Sequence, residues 1–212
     1  IISGSWDDLG NFSLLDNRQF YVMGENTEVM LYNLTLMLGS ESDKGGSIYN
    51  EGVTNLKNVS FFLNDAAQGG AIFSAGILNI YTESSTVIYN EIAQQYFNAN
   101  GISYAGWGAG TNQVIFGNNS TTQDGGAIYV TGTGEFNIWP SGLITTGGNQ
   151  VRVVFSGNSA ENNGGAIYYT GQDNTDSFMR IYYTDFISNK AENGNGGAIY
   201  ATNAKGSSDI YG

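Results

Sequence analysis

Whatever chemistry this sequence does, it does without histidine or cysteine: neither occurs in its 212 residues. A Ser-His-Asp or Cys-His nucleophile, an imidazole or thiolate metal site, a disulfide and a haem ligand of either type are all excluded. The remaining reactive groups are carboxylates and a few cations, and they are scattered. Asp7-Asp8 is the only adjacent acidic pair, and Asp173 and Asp176 share one loop-like stretch. Polysaccharide lyases and hydrolases need paired carboxylates, a bound Ca²⁺ or a basic side chain at the scissile bond. Arg18, Arg152 and Arg180 share no common position, so no enzyme is expected and no cofactor is implied. Adventitious Ca²⁺ at Asp173–Asp176 is the one metal chemistry the acids could offer, and no D-x-D-x-D-G loop supports it.

The groups that do recur at fixed spacing are amides, rings and glycines. Gly-Gly-Ala-Ile plus an aromatic residue stands at Gly69-Gly70 with Ile72 and Phe73, and at Gly125-Gly126 with Ile128 and Tyr129. It returns at Gly164-Gly165 with Ile167 and Tyr168, and at Gly196-Gly197 with Ile199 and Tyr200. Gly45-Gly46-Ser47-Ile48-Tyr49 is a fifth copy. Eight to ten residues ahead of four of these pairs lies Phe-x-x-Asn: Phe61 and Asn64, Phe116 and Asn119, Phe155 and Asn158, Phe186 and Asn189. A third element follows each Ile: Leu78-x-Ile80, Phe136-x-Ile138 and Met179-x-Ile181. Successive Gly-Gly pairs are 24, 56, 39 and 32 residues apart. A weak copy at Val87-Ile88-Tyr89 and Gly101-Ile102-Ser103-Tyr104 divides the longest gap into two turns of about 28.

The elements that carry these residues are strands. Val59-x-Phe61, Val114-x-Phe116 and Val153-x-Phe155 alternate with period two, and Gly, Asn, Ser and Asp fill the stretches between. Residues 91–98 are the best helical stretch and have no cap. The repeat is too short for a propeller blade and lacks crossover helices. The spacing predicts an all-β chain, a right-handed parallel β-helix of roughly eight coils, on the order of 40 Å long at ~4.8 Å per coil. Residues 1–212 read as one such segment of a longer protein, with less regular coils over 1–30. In a stack each motif residue lies on its own copy. The Ile residues then form one inward ladder, the Phe residues a second, and the Asn residues a corner ladder that satisfies turn backbone. Tyr49, Phe73, Tyr129, Tyr168 and Tyr200 each follow an inward Ile, face outward, and form a candidate contact stripe for a sugar or a protein. Thr131, Thr170 and Thr202 make only a partial ladder, too short for an ice-binding face. Sequons at Asn11, Asn33, Asn58, Asn118 and Asn119 are about as many as chance gives in so Asn-, Ser- and Thr-rich a chain.

The Gly-Gly-Ala-Ile and Phe-x-x-Asn pairing resembles the repeats of chlamydial-type polymorphic outer-membrane proteins and of adhesin-like β-helix surface proteins, with residues 153–171 a near-consensus copy. The resemblance implies an extracellular, cell-surface structural and adhesive rod. Its partner would be a host or neighbouring-cell surface protein or a glycan. End-to-end stacking into an extracellular filament, with copies of itself as partner, is the alternative, and a polysaccharide-processing enzyme is the third reading. The net charge of −12 opposes nucleic acid and anionic membrane surfaces. No apolar run reaches the ~18 residues that cross a bilayer, so no direct membrane insertion of this segment is expected.

Overall fold

The structure is a computed structural model and describes residues 2–3, 17–82, 113–132, 135–140, 152–172, 177–204 and 208–211. Apolar residues at period two, separated by turn formers, give three walls of parallel strands, numbered in chain order. The first wall holds β2 (Phe20–Val22), β4 (Ile48–Asn50), β7 (Ile72–Ser74), β11 (Ile128–Gly132), β15 (Ile167–Gly171) and β19 (Ile199–Thr202). The second wall begins with the leading halves of β3 (Glu28–Met37) and β5 (Val53–Phe62). It continues through β8 (Ile77–Thr82), β12 (Phe136–Pro140), β16 (Met179–Tyr182) and β20 (Asp209–Tyr211). The third wall takes the trailing halves of β3 and β5, then β9 (Gln113–Gly117), β13 (Arg152–Ser156) and β17 (Thr184–Ile187), with β1 (Ile2–Ser3) on β3. Two-residue strands β6 (Asp65–Ala66), β10 (Ser120–Thr121), β14 (Ser159–Ala160) and β18 (Lys190–Ala191) carry the chain from the third wall back toward the first. The result is the parallel β-helix expected from the repeats.

Register is exact to the motif. Ile48, Ile72, Ile128, Ile167 and Ile199 pair in sequence up the first wall, and Phe61, Phe116, Phe155 and Phe186 up the third. Ile72 pairs directly with Ile128, so the 56-residue gap is one coil and not two. Residues 83–112 stand in sequence between β8 and β9, and they, with the weak copy at 87–104, lie outside the described residues. The described residues therefore give each wall six rungs where the averaged period argued for roughly eight coils. An average over spacings cannot separate an insertion from an extra turn.

The second and third walls meet at a bend made by a single residue. Asn33 (φ 53°), Asn58 (φ 55°) and Tyr183 (φ 45°) take the left-handed conformation there. Asn tolerates this region better than most residues, which accounts for two of the sequon asparagines. Asn58 is fully buried and donates through Nδ2 to Asn33 Oδ1 at 3.1 Å. In the chain, residues 83–112 and 141–151 both fall at this same point of the coil, after β8 and after β12.

The interior is a set of columns. Ile48, Ile72, Ile128, Ile167, Leu56, Leu78, Phe136 and Ile138 are wholly buried in one continuous core. The Phe rings stack at 4.8, 4.5 and 5.1 Å between centroids, within 12° of parallel. A smaller apolar cluster, Met37, Phe62, Ile115 and Val154, alternates with these on the third wall. The two glycines of each pair have separate reasons. Gly125 sits at φ 71°. A Cβ on Gly126 would lie 2.1 Å from the Gly165 carbonyl oxygen of the next rung, closer than any side chain can approach. On Gly197, in the last described rung, the nearest atom would be 3.6 Å away. Gly126→Ala is therefore expected to cost about 3 kcal/mol or more and Gly197→Ala no more than about 1 kcal/mol, measured by urea unfolding. Equal losses at the two positions would contradict this close-approach account.

Candidate functional site

The corner after the third wall is built by asparagine. Asn64, Asn119 and Asn158 are fully buried, with Asn189 half-buried at the last rung. Asn64 donates through Nδ2 to Asn119 Oδ1 (2.9 Å), Asn119 to Asn158 Oδ1 (2.9 Å), and Asn158 to Asn189 Oδ1 (2.8 Å). Each of these Oδ1 atoms also accepts the backbone N–H of the preceding Asn, at 3.0–3.1 Å. The Nδ2 groups of Asn119, Asn158 and Asn189 reach back to the carbonyls of Phe61, Phe116 and Phe155. At the start, Asn64 Oδ1 accepts from Gly39 N and Ser47 Oγ instead. These amides spend their hydrogen-bonding capacity on the stack, which leaves little for a ligand.

The first-wall rings form one outward column. It runs Tyr21, Tyr49, Phe73, Tyr129, Tyr168, Tyr200, with neighbouring centroids 4.6–5.3 Å apart. From Tyr49 onward the rings lie within 20° of parallel. Tyr21 is the member that motif reading overlooks, because its rung lacks Gly-Gly-Ala-Ile. Phe20-Tyr21 nevertheless stands 28 residues before Ile48-Tyr49, one period of the repeat. The Arg18 guanidinium lies 5.4 and 5.3 Å from the Tyr21 and Tyr49 rings and pairs with Glu41 at 3.0 Å. The Lys44 ammonium lies 4.7 Å over Phe73, which is 3% exposed. In this column the ring faces are occupied by other rings and by cations. The edges are what reach solvent.

A second outward column, on the second wall, was not singled out by the motifs. Each copy of the third sequence element is followed by an aromatic: Tyr81 after Ile80, Trp139 after Ile138, Tyr182 after Ile181. In register these extend to Tyr32 and Lys57 at one end and Tyr211 at the other. Trp139 and Tyr182 are 6.2 Å apart and tilted by 57°, Tyr182 and Tyr211 6.5 Å and 43°. These rings are splayed rather than stacked. Beside them runs a second amide row, Asn137 donating to Asn79 (2.9 Å), Asn79 to Asn55 (3.0 Å), and Asn55 to Glu28 (2.9 Å).

Glu25, Glu51 and Glu135 line one open groove of about 420 Å³, while the arginines lie apart from it. Arg152 pairs with Asp185 on the third wall, and Arg180 lies 3.8 Å over the Phe178 ring. Among the described residues no three acidic side chains form a cation cage. Asp7, Asp8, Asp173 and Asp176 lie outside the described residues.

Burial pushes the Tyr129 phenol up to about 12, with the neighbouring Tyr168 and Asp124 adding to it, and burial pushes Tyr169 to about 12 against a hydrogen bond to Ser177. An unfolded tyrosine loses its proton near 10. Both folded values are raised, so their stabilisation is complete below pH 10 and is lost between about 10 and about 12, where the unfolded chain binds fewer protons. Urea midpoints should fall across that window, and Tyr129→Phe should flatten the fall. At neutral pH, Asn119→Ala leaves the Asn64 N–H without its acceptor and the Asn64 Nδ2 with only the longer bond to the Leu36 carbonyl. It should cost about 3 kcal/mol or more in the same assay.

The chain was compared with known proteins. Three segments, residues 113–131, 152–170 and 183–202, match the family model described as the Chlamydia polymorphic membrane protein repeat. Together they make up roughly a quarter of the chain. No curated protein and no solved structure matches it. Each matched segment begins at or next to a third-wall strand, passes through the asparagine corner and ends in a first-wall strand, leaving β8, β12, β16 and β20 outside. The third wall, the asparagine corner and the first wall of these three coils are thus the parts that match the Chlamydia polymorphic membrane protein repeat.

Proposed function

We propose that this chain is an extracellular, cell-surface rod whose β-helix holds adhesive surfaces toward a partner. The repeats that it carries are those of a membrane-protein family with a surface location. The observation that carries the reading is the division of labour between inside and outside. Amide and Phe stacks saturate the interior and the asparagine corner, while rings stand in register on two outer walls. A stack in which each coil touches only its neighbours is suited to holding such surfaces at fixed spacing.

The filament is the second reading. The observation in its favour is that every wall is an in-register parallel ladder, in which one coil is the template for the next. The edge of such a ladder accepts a further rung from the same chain or from another copy.

Beads coated with the protein should attach to cells from a panel of epithelial and bacterial types several-fold more than albumin-coated beads. Attachment no greater than that of the albumin control on every cell type would overturn the adhesive reading. Concentration-dependent fibres in electron micrographs would move the conclusion to the filament.

A further inference from the structure

The geometry points to a neutral-glycan binding strip on the outer face of the second wall. This rests on the reading of the chain as a rod that attaches to a partner, and it names the surface and the ligand class. A sugar ring stacks its C–H face on an open aromatic face and places its hydroxyls on neighbouring polar groups. From Tyr49 to Tyr168 the first-wall column cannot offer this, because its rings are stacked face to face and Phe73 is 3% exposed; Tyr21 at the end is 49% exposed, but it lies between Tyr49 and the Arg18 guanidinium. The second wall can. Trp139 and Tyr32 are each 46% exposed, and Met30 64%. The tilts of 57° and 43° between successive rings leave part of each face open. Met30, Lys57, Tyr81 and Trp139, with Asn55 and Glu28, line an open groove of about 450 Å³, within the size range of small-ligand sites. Phenol hydroxyls and the exposed Glu28 carboxylate supply hydrogen-bonding groups along one side.

Charge selects among glycans. The two cations of the strip are held over rings, the Lys57 ammonium 5.2 Å from Tyr32 and the Arg180 guanidinium 3.8 Å from Phe178. The chain as a whole carries −12. Sulfated and sialylated chains are repelled, and uncharged sugars are not. A protein strand adding to the sheet is disfavoured as well, because this face presents side chains and the wall's backbone groups are spent on the ladder. Six rungs at ~4.8 Å give a strip roughly 24 Å long, enough for several sugar units laid along the rod axis.

The test is a binding array of chitotetraose, mannotetraose and lacto-N-neotetraose, with sialyllactose and a heparin tetrasaccharide as acidic comparators. The protein should bind at least one neutral probe and neither acidic one. Trp139→Ala and, separately, Tyr81→Ala should each weaken that binding about tenfold or more. Tyr129→Ala with Tyr168→Ala should leave it unchanged. Circular dichroism identical to the parent establishes that each variant is folded, and Trp139, being exposed, is expected to pass. Binding to no neutral probe, a preference for the acidic ones, or full binding by both folded second-wall variants would overturn the strip. Coated beads that attach to cells equally well with Trp139→Ala would also overturn it, while leaving the adhesive reading intact. Beads that attach to no cell would remove the adhesive reading, whatever the array gives.

Discussion

The constraint on which the rest depends is that every residue in a parallel coil lies against its own counterpart one rung away. Asn119 meets Asn64 and Asn158, Phe116 meets Phe61 and Phe155, and Gly126 meets Gly70 and Gly165. A residue type is therefore chosen for its compatibility with itself. Asn qualifies because its amide donates upward and accepts downward at one spacing. Phe qualifies because offset rings attract at 4.5–5.1 Å. Glycine qualifies where the rungs come too close for any Cβ. Charged side chains do not qualify, since a ladder of like charges would repel along its whole length. A charged fraction of only 12% fits a chain with so many stacked columns.

The same constraint divides the outer surface. On the first wall the column is nearly continuous, and its rings collapse on one another with Arg18 and Lys44 closing over them. On the second wall Lys57 interrupts the column and Trp139 is larger than its neighbours, so the rings cannot settle into a uniform stack. Irregularity is what keeps those faces available. The segments that match the family repeat end before this wall begins.

Much of this was legible in the residues. The walls, the Ile and Phe ladders and the asparagine corner follow from four clean copies of two short motifs, because self-stacking turns repetition directly into structure. Outward orientation of the Tyr stripe followed from alternation with Ile. Accessibility did not, since whether a ring exposes its face or its edge depends on the tilt of its neighbours. The second-wall rings were present as the residue after each Leu-x-Ile type element, yet they vary between Tyr, Trp and Lys and so form no motif. The number of rungs was misjudged because residues 83–112 imitate the repeat closely enough to pass for a turn, and only the pairing of Ile72 with Ile128 separates the two.

The bend at Asn33, Asn58 and Tyr183 has an architectural consequence. At this point one residue suffices in three coils, whereas thirty or eleven are threaded in others, and the ladders on either side keep their alignment. Length and insertion are thus independent. Each added rung lengthens the ladders by one strand spacing, whether or not it carries a Gly-Gly pair, as the rung of Phe20-Tyr21 does not. Residues added at the bend leave the register of the following rungs unchanged, so duplication of coils and insertion at the bend are separate routes by which such a chain can vary.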